Sequence, residues 1–139
     1  MHQLPLRLIS IEPDGFHLMF QAYINGLKAN VLIDTGASRT ILDHSRAHHY
    51  LGNPDIRPFD RLFTGMGAGG IKTYVCHIPH MRFGNKELLD QEIVLIDLAP
   101  VNKTYAIYDL PRIDMVLGGD LMQAFRVSID YAQQVMVMR

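Results

Sequence analysis

Residues 31–37 read Val-Leu-Ile-Asp-Thr-Gly-Ala, an apolar run that leads directly into a carboxylate, a small hydroxyl residue and a glycine. An apolar run bounded by turn residues favours a buried strand. The glycine favours a sharp turn after the carboxylate, because glycine adopts turn conformations at little steric cost. The segment therefore predicts one ionisable side chain, Asp34, at the end of a buried strand.

Strand signals dominate the rest of the chain. Asn25-Gly26 is the strongest of them, because this dipeptide favours a two-residue turn between paired strands. Predicted strands cover Leu6–Ile11, Phe16–Ile24, Leu27–Ile33, Leu62–Thr64, Ile71–Val75, His77–Phe83, Leu88–Ile96, Arg126–Ile129 and Val135–Met138. Short helices are predicted from the cap at Asp43 to Tyr50 and over Leu121–Phe125, and residues 98–112 are predicted to be irregular with at most one helical turn. The predicted class is all-β with two small helices.

Two further segments share the glycine-rich and apolar character of the first. One is a glycine-rich stretch, Phe63-Thr64-Gly65-Met66-Gly67-Ala68-Gly69-Gly70-Ile71-Lys72. The other combines apolar residues with two glycines, Asp114-Met115-Val116-Leu117-Gly118-Gly119-Asp120-Leu121-Met122.

In this order and at these separations, the three segments together resemble those of retropepsins, the single-domain retroviral-type aspartic proteases. The resemblance covers roughly residues 16–131. It implies a closed retropepsin-like (acid protease) β-barrel with a flap hairpin and one or two short helices. With a length suited to one domain, we expect residues 1–139 to form a single retropepsin-like domain, with residues 1–15 as an N-terminal extension strand and residues 126–139 as a C-terminal hairpin.

The resemblance also implies roles for individual residues. Asp34 is the catalytic general acid/base, in an active-site loop that continues through Thr35, Gly36, Ala37 and Ser38. Thr35 hydrogen-bonds across a dimer, Gly36 allows the turn, and Ala37 and Ser38 line the base of the cleft. The flap over the substrate is implied to consist of Gly65, Met66, Gly67, Ala68, Gly69 and Gly70. The loop is implied to be supported from below by Val116, Leu117 and Gly118, with glycine needed at position 118 because two backbone segments approach closely there.

Two positions depart from the retroviral pattern. Retroviral members usually carry an acidic residue at the position of Ser38 and an arginine at the position of Gly119, and these form an ion pair near the dimer interface. Neither residue is present here. Any dimer is therefore expected to be held differently, and the hairpin of residues 126–139 is a candidate contact.

A single Asp-Thr-Gly implies a homodimer if the chain is catalytic. Aspartic proteolysis needs one ionised carboxylate to take a proton from water and one protonated carboxyl to donate to the carbonyl oxygen. Two adjacent carboxyls share one proton because both cannot ionise together. The second Asp34 must therefore come from another copy across a two-fold axis. The echo of Val31-Leu32-Ile33-Asp34 at residues 94–97 continues without Thr-Gly, so Asp97 is interpreted as a structural relic or a strand cap and not as a second catalytic acid.

Composition limits the partners. The net charge is −1, and no basic or acidic run suggests nucleic acid or a membrane surface. The single cysteine, Cys76, excludes an internal disulfide and suits a reducing compartment. The N-terminus lacks a secretory pattern and no apolar stretch is long enough to span a membrane, so a cytoplasmic location, a peptide or protein substrate and no cofactor are expected.

Two other motifs resemble binding sites. The histidines His44, His48 and His49 could suggest a metal site, but no carboxylate or cysteine partner accompanies them, so no metal is expected. The glycine-rich stretch lacks the Gly-Lys-Ser/Thr of a phosphate-binding loop. Two alternatives to a directly active protease stay open. One is a catalytically silent retropepsin-fold module that binds peptides or assembles. The other is a protease that is active only after processing or inside a larger assembly, since residues 1–15 could cover its cleft.

Overall fold

The computed structural model describes residues 2–11, 15–59 and 72–139. Within these ranges the chain is mostly β-strand with short helices, as predicted. The helices are α1 (Ala47–Leu51), α2 (Ala99–Ile107) and α3 (Gly119–Ala124), with a 3-10 turn (His44–Arg46) before α1. The strands are β1 (His2–Pro5), β2 (Arg7–Ile11), β3 (Gly15–Ile24), β4 (Leu27–Ile33), β5 (Ile41–Asp43), β6 (Arg57–Pro58), β7 (Tyr74–Phe83), β8 (Lys86–Ile96), β9 (Met115–Leu117), β10 (Ser128–Asp130) and β11 (Val135–Met138).

Six strands close into a barrel. The larger sheet has the order β2-β3-β4-β9-β5-β8-β7-β6, and β3 also pairs with β7. This additional pairing joins the ends of the central six strands and leaves β2 and β6 outside the ring. The pairs β4–β9 and β5–β8 are parallel. The prediction of a closed all-β barrel is confirmed.

The hairpin between β3 and β4 forms where the sequence predicts it. Asn25 and Gly26 have positive φ angles of 51° and 82°, as a type I′ turn requires. The strands meet beside the turn, where Ile24 pairs with Leu27. This hairpin sets the register of β4 and so fixes where that strand ends.

The barrel wall separates two apolar layers. Successive residues of a strand point to opposite faces, so Met115 and Leu117 of β9 belong to the barrel interior and Val116 to the outer layer. In the outer layer, Val116 clusters with Tyr105 of α2 and Ile9 of β2. Helix α2 and strand β2 therefore contribute to the apolar layer on the outer face of the wall.

The prediction for residues 98–112 was wrong, because most of this connection is the helix α2. Its sequence carries little helical periodicity: Tyr105 is buried, whereas Val101 and Ile107 are exposed. Pro100 fits the first turn of the helix, where no N–H is needed. The oxygen Oδ1 of Asp97 accepts a hydrogen bond from the Ala99 N–H at 2.9 Å, in line with its interpretation as a cap.

Two other strand assignments change. Of the predicted strand Ile71–Val75, Tyr74 and Val75 lie in a strand, which continues through Cys76 into the predicted His77–Phe83 and forms the ten-residue β7. Strand β5 was not predicted. Its last residue, Asp43, was predicted to cap the helix that follows, and Asp43 Oδ1 accepts a hydrogen bond from the Ser45 N–H at 3.2 Å. The predicted strand Leu62–Thr64 lies outside the described residues.

The chain ends form a second sheet, of order β1-β11-β10. Strands β10 and β11, within residues 126–139, pair antiparallel. The N-terminal extension divides at Leu6, whose N–H donates to the Gln134 carbonyl at 2.8 Å. Strand β1 joins the second sheet, and β2 pairs with β3 of the barrel sheet. Among the described residues, no helix is long and apolar enough to cross a membrane.

Candidate active site

Asp34 lies directly after β4, where the parallel strand β9 also ends. Ile33 pairs with Leu117, and the Asp34 N–H donates to the Leu117 carbonyl at 3.0 Å. Parallel strands finish at the same edge of a sheet. The segment after β4 therefore lies against the segment after β9, although the two are distant in sequence.

The loop after β4 orients the Asp34 carboxylate. The Gly36 N–H donates to Asp34 Oδ1 at 2.9 Å, and the Ala37 N–H donates to the Asp34 carbonyl at 3.1 Å. Thr35, Gly36 and Ser38 are exposed, Asp34 is partly buried, and Ala37 is buried. One carboxylate oxygen is therefore held by the backbone of its own loop.

The reason for glycine at position 36 differs from the predicted one. Gly36 is not among the residues with positive φ. A Cβ atom at this position would lie 3.3 Å from Asp34 Oδ1, which is tighter than most real contacts. Glycine is therefore favoured here because the carboxylate approaches the backbone, and not because the turn needs a left-handed conformation.

Gly118 shows the close backbone approach that was expected of it. A Cβ atom at Gly118 would lie 2.5 Å from the carbonyl carbon and oxygen of Arg39 and 2.9 Å from the Ala37 oxygen. The next residue extends the contact, because the Gly119 N–H donates to the Ala37 carbonyl at 2.7 Å. No side chain fits between the active-site loop and the start of α3.

A polar contact that was not predicted fastens the end of the loop. Asp120 Oδ1 accepts hydrogen bonds from the N–H and the hydroxyl of Thr40, at 2.8 and 2.7 Å. The same Thr40 hydroxyl accepts from the Gly118 N–H at 3.1 Å, and Thr40 is only 1% exposed. Thr40 and Asp120 thus connect the loop to the first turn of α3.

An ion pair lies one residue after each of the two positions, 38 and 119, that differ from the retroviral pattern. Its charges are exchanged relative to that pattern, because the basic residue is in the loop after β4 and the acidic residue is in α3. Arg39 follows Ser38, Asp120 follows Gly119, and Arg39 Nε lies 3.5 Å from Asp120 Oδ2. Both side chains are about a quarter exposed (27% and 25%), so the pair alone contributes roughly 0.2–1 kcal/mol. Opposite charges at these two positions are the sequence signal that could have revealed it.

The Arg39 guanidinium also reaches other elements. It lies 4.0 Å from Glu92 of β8 and 5.3 Å from the centroid of the Phe59 ring. Glu92 in turn lies 3.7 Å from Arg57 of β6. The active-site loop is therefore linked through charge to the strand that precedes residues 60–71.

The predicted flap residues, Gly65, Met66, Gly67, Ala68, Gly69 and Gly70, lie outside the described residues. The described chain on either side of them is paired. Arg57 faces Val75, Pro58 faces Tyr74, and the Phe59 N–H donates to the Thr73 carbonyl at 3.0 Å. The flap assignment stays a prediction.

Within the described ranges, no group of three or more His, Cys, Asp or Glu residues could hold a metal ion. The three histidines considered for metal binding have other contacts. The His44 ring lies 4.7 Å from that of Tyr74, His48 Nδ1 lies 3.0 Å from the Gly52 carbonyl, and His49 packs on Tyr50. Each of the three rings therefore contacts a different residue, and these contacts do not bring the histidines together.

Comparison with solved structures places the barrel in one fold. The chain is similar to the retroviral protease-like domain of Ddi1 from Leishmania major (16% identity, TM-score 0.59, covering 88% of this chain and 87% of that one). It is also similar to a retropepsin-like aspartic protease from Rickettsia conorii (19%, 0.57, 99% and 92%). A third similar structure is EIAV protease in complex with the inhibitor HBY-793 (16%, 0.58, 88% and 99%). These similarities define a retropepsin-like fold.

Comparison of the sequence with protein-family profiles shows the family of the chain. The profile of the aspartyl protease family matches residues 20–121, which span the barrel and the candidate active site. The chain therefore belongs to the aspartyl protease family. A comparison with curated proteins gave no match.

Proposed function

We propose that this protein is an aspartic endopeptidase whose active site contains Asp34 from two subunits of a homodimer. The observation that carries the proposal is the setting of Asp34, a partly buried carboxylate fixed at the shared end of β4 and β9 in a protein of this family. One chain supplies one such carboxylate, and the chemistry needs two.

The geometry of the loop suits this chemistry. Asp34 Oδ1 is held by the Gly36 N–H, and the second oxygen, which accepts no hydrogen bond from the described residues, is proposed to meet a water molecule or the partner carboxyl. The ionised carboxylate takes a proton from water as the water oxygen attacks the peptide carbonyl carbon, and the protonated carboxyl donates its proton to the carbonyl oxygen. Collapse of the tetrahedral intermediate breaks the C–N bond. The amine leaves with a proton from the dyad, and one hydroxyl of the intermediate returns its proton to the dyad as the carboxylic acid forms.

The exposure of the other residues in this loop supports a proposed role for each of them. Thr35 is exposed beside Asp34 and is proposed to hydrogen-bond to the other subunit. Exposed Ser38 is proposed to line the cleft, whereas buried Ala37 contributes its backbone carbonyl to the loop's support rather than its side chain to the cleft. Residues 65–70 are proposed to cover an extended peptide.

The test is cleavage of a diverse peptide pool by wild-type protein and by Asp34→Asn, at high protein concentration and mildly acidic pH. Cleavage is expected from the wild type and should vanish in Asp34→Asn, because the amide cannot exchange the shared proton. Asp97→Asn is the matched control, since Asp97 also follows Val-Leu-Ile but caps a turn. It should cut as the wild type does.

Two outcomes would overturn the proposal. Cleavage that persists unchanged in Asp34→Asn would mean that another group or a contaminant performs the reaction. A wild-type dimer that binds peptides from the pool but cuts none would instead assign the silent binding module.

A further inference from the structure

A cavity of about 410 Å³ lies between helix α2 and the turn that follows β5. Its size falls within the range of about 300–1,000 Å³ that is usual for small-molecule sites. Its lining includes Asp43 and Ser45 from the end of β5 and the turn, Lys103 and Ala106 from α2, and Leu110 and Arg112 from the segment after α2. The charged residues of this lining show what the cavity can hold.

The carboxylate that lines the cavity, Asp43, has a full set of partners. Asp43 is 1% exposed. Its Oδ1 accepts hydrogen bonds from the N–H groups of Ser45 and Leu98, both at 3.2 Å. Its Oδ2 accepts from the Ser45 hydroxyl at 3.0 Å and from Arg112 Nη2 at 3.3 Å. Because a carboxylate has about four acceptor sites, Asp43 has none left for a further cation.

Two cations line the same cavity and keep donors that the described residues do not use. Arg112, whose side chain is 50% exposed, donates only from Nη2, to Asp43 and to the Ser45 hydroxyl. An arginine has about five N–H donors, so most of those of Arg112 stay available. Lys103 is exposed, and its side chain forms no hydrogen bond or ion pair with a described residue. Since Asp43 balances one of the two cations, the cavity keeps one positive charge in excess.

The size of this excess charge favours a carboxylate as the ligand. A carboxylate carries one negative charge and balances the cavity, whereas a phosphate monoester carries about −1.5 to −2 at neutral pH and exceeds it. The other side of the cavity is apolar, with Ala106 and the partly buried Leu110 in its lining. An apolar lining with a few placed polar groups is typical of sites for small organic molecules.

We propose that this cavity binds a carboxylate on a short aliphatic group, with the carboxylate at Lys103 and Arg112 and the aliphatic part against Ala106 and Leu110. Such a group is present in free carboxylic acids and at the carboxyl terminus of peptides. The inference does not rest on the proposed function, because binding in this cavity needs neither Asp34 nor a second copy of the chain.

Nuclear magnetic resonance of the nitrogen-labelled full chain tests the site. Isovalerate, a short branched carboxylate, should shift the backbone amide signals of Ser45, Lys103 and Ala106 until they saturate. Isovaleramide has the same shape without the charge and should not shift them. N-acetyl-leucine presents the carboxyl terminus of a peptide, so the relative affinities of isovalerate and N-acetyl-leucine distinguish the two sources of the carboxylate.

Substitution of Lys103 tests the charge without removing the cation that contacts Asp43. Lys103→Gln should weaken the binding of isovalerate by about fivefold, the upper end for an exposed charge pair, and Lys103→Arg should largely retain it. Lys28→Gln is the matched control, because Lys28 is exposed on β4 and does not line the cavity. It should bind isovalerate as the wild type does.

A second variant tests the cavity itself. Ala106 is exposed on α2, so Ala106→Leu should fold, fill the apolar side and abolish binding while both cations remain. Binding of isovalerate, of N-acetyl-leucine or of both, with these losses, supports the inference. Three results would overturn it: no saturable shift from either carboxylate, equal shifts from isovaleramide or inorganic phosphate, or unchanged affinity in both Lys103→Gln and Ala106→Leu.

Discussion

At the scale of single residues, Thr40 holds the end of the loop that follows β4 and contains Asp34. Its buried hydroxyl donates to Asp120 and accepts from the Gly118 N–H. We predict that Thr40→Val lowers the free energy of unfolding by about 1–3 kcal/mol, because valine fills the space but leaves the Gly118 N–H without its partner. Thermal or urea unfolding measures the change.

Thr40→Ser is the control for this prediction, because serine keeps the hydroxyl and loses only a methyl group. It should retain most of the stability and, if the protein is a protease, most of the activity. Equal stability of the valine and serine variants would show that the hydroxyl does not hold the loop.

Cys76 gives a prediction for alkaline pH. Burial raises the pKa of its thiol from the usual value of 9.0 to about 11. The folded protein therefore binds the thiol proton more tightly than the unfolded chain does, and the free energy of unfolding should fall as pH rises through this interval. The loss should be on the order of 2–3 kcal/mol.

Urea unfolding at several pH values tests this prediction. Cys76→Ala should show a smaller loss of stability than the wild type as pH rises from about 9 to about 11, because the titrating group is gone. Tyr105, whose pKa burial raises to about 12, adds a similar loss at higher pH in both proteins. Parallel curves for the two proteins across the lower interval would contradict the prediction.

At the scale of elements, the N-terminal strand is part of the folded structure. Leu4 of β1 is 3% exposed, and its side chain packs against Gly84 in the turn between β7 and β8. We predict that Leu4→Ala lowers the free energy of unfolding by about 2–5 kcal/mol, as is usual for a buried leucine. Gln3→Ala, at an exposed neighbouring position, should change it by less than about 0.5 kcal/mol.

This arrangement bears on the hypothesis that residues 1–15 merely cover the cleft. The pairing of β1 with β11 and of β2 with β3 means that deleting these residues removes two strands and their buried side chains. Loss of activity on deletion would therefore report lost structure. Comparing Leu4→Ala with Gln3→Ala is the more informative experiment, and equal stability of the two would show that β1 is not fastened to the barrel.

Local signals account for the elements that could be predicted. The Asn25-Gly26 turn and the alternation of β3 lie within a few residues of each other, so they are visible in the sequence. Helix α2 was missed because its burial comes from contact of Tyr105 with the outer layer and not from an apolar stripe. Strand β5 was missed because three residues become a strand only through parallel pairing with β8.

The residues of the candidate site also fall into two groups: those that a local sequence pattern predicts and those that depend on distant contacts. Asp34 and Gly118 belong to short motifs, so the sequence identifies them. Arg39, Thr40 and Asp120 act through contacts between residues about 80 positions apart, which no local pattern contains. The reason for glycine at position 36 is the short distance between the backbone there and the Asp34 carboxylate, and a sequence pattern does not contain this distance.

At the scale of the whole molecule, activity is predicted to depend on protein concentration. If both Asp34 residues are needed and the dimer is weak, the initial rate should rise with the square of the concentration while monomers predominate. Rate measurements over a dilution series, with sedimentation in the same buffer, test this. Two copies joined by a flexible linker should give a rate linear in concentration.

A linear rate from a solution shown to contain only monomers would contradict this prediction. It would mean that one chain carries a complete active site. The assignment of residues 1–139 to a single domain stays a prediction, and a single unfolding transition of the monomer would support it.

The parallel pairing of β4 with β9 has a consequence for the newly made chain. The Asn30 N–H donates to Asp114, 84 positions away, and the Asp34 N–H donates to Leu117. Contacts between such distant residues cannot form until the later segment has been synthesised. A ribosome-bound chain that ends before β9 therefore holds its aspartate in an unformed loop. The order of synthesis therefore delays the observed position of the Asp34 loop until β9 has left the ribosome and can pair with β4.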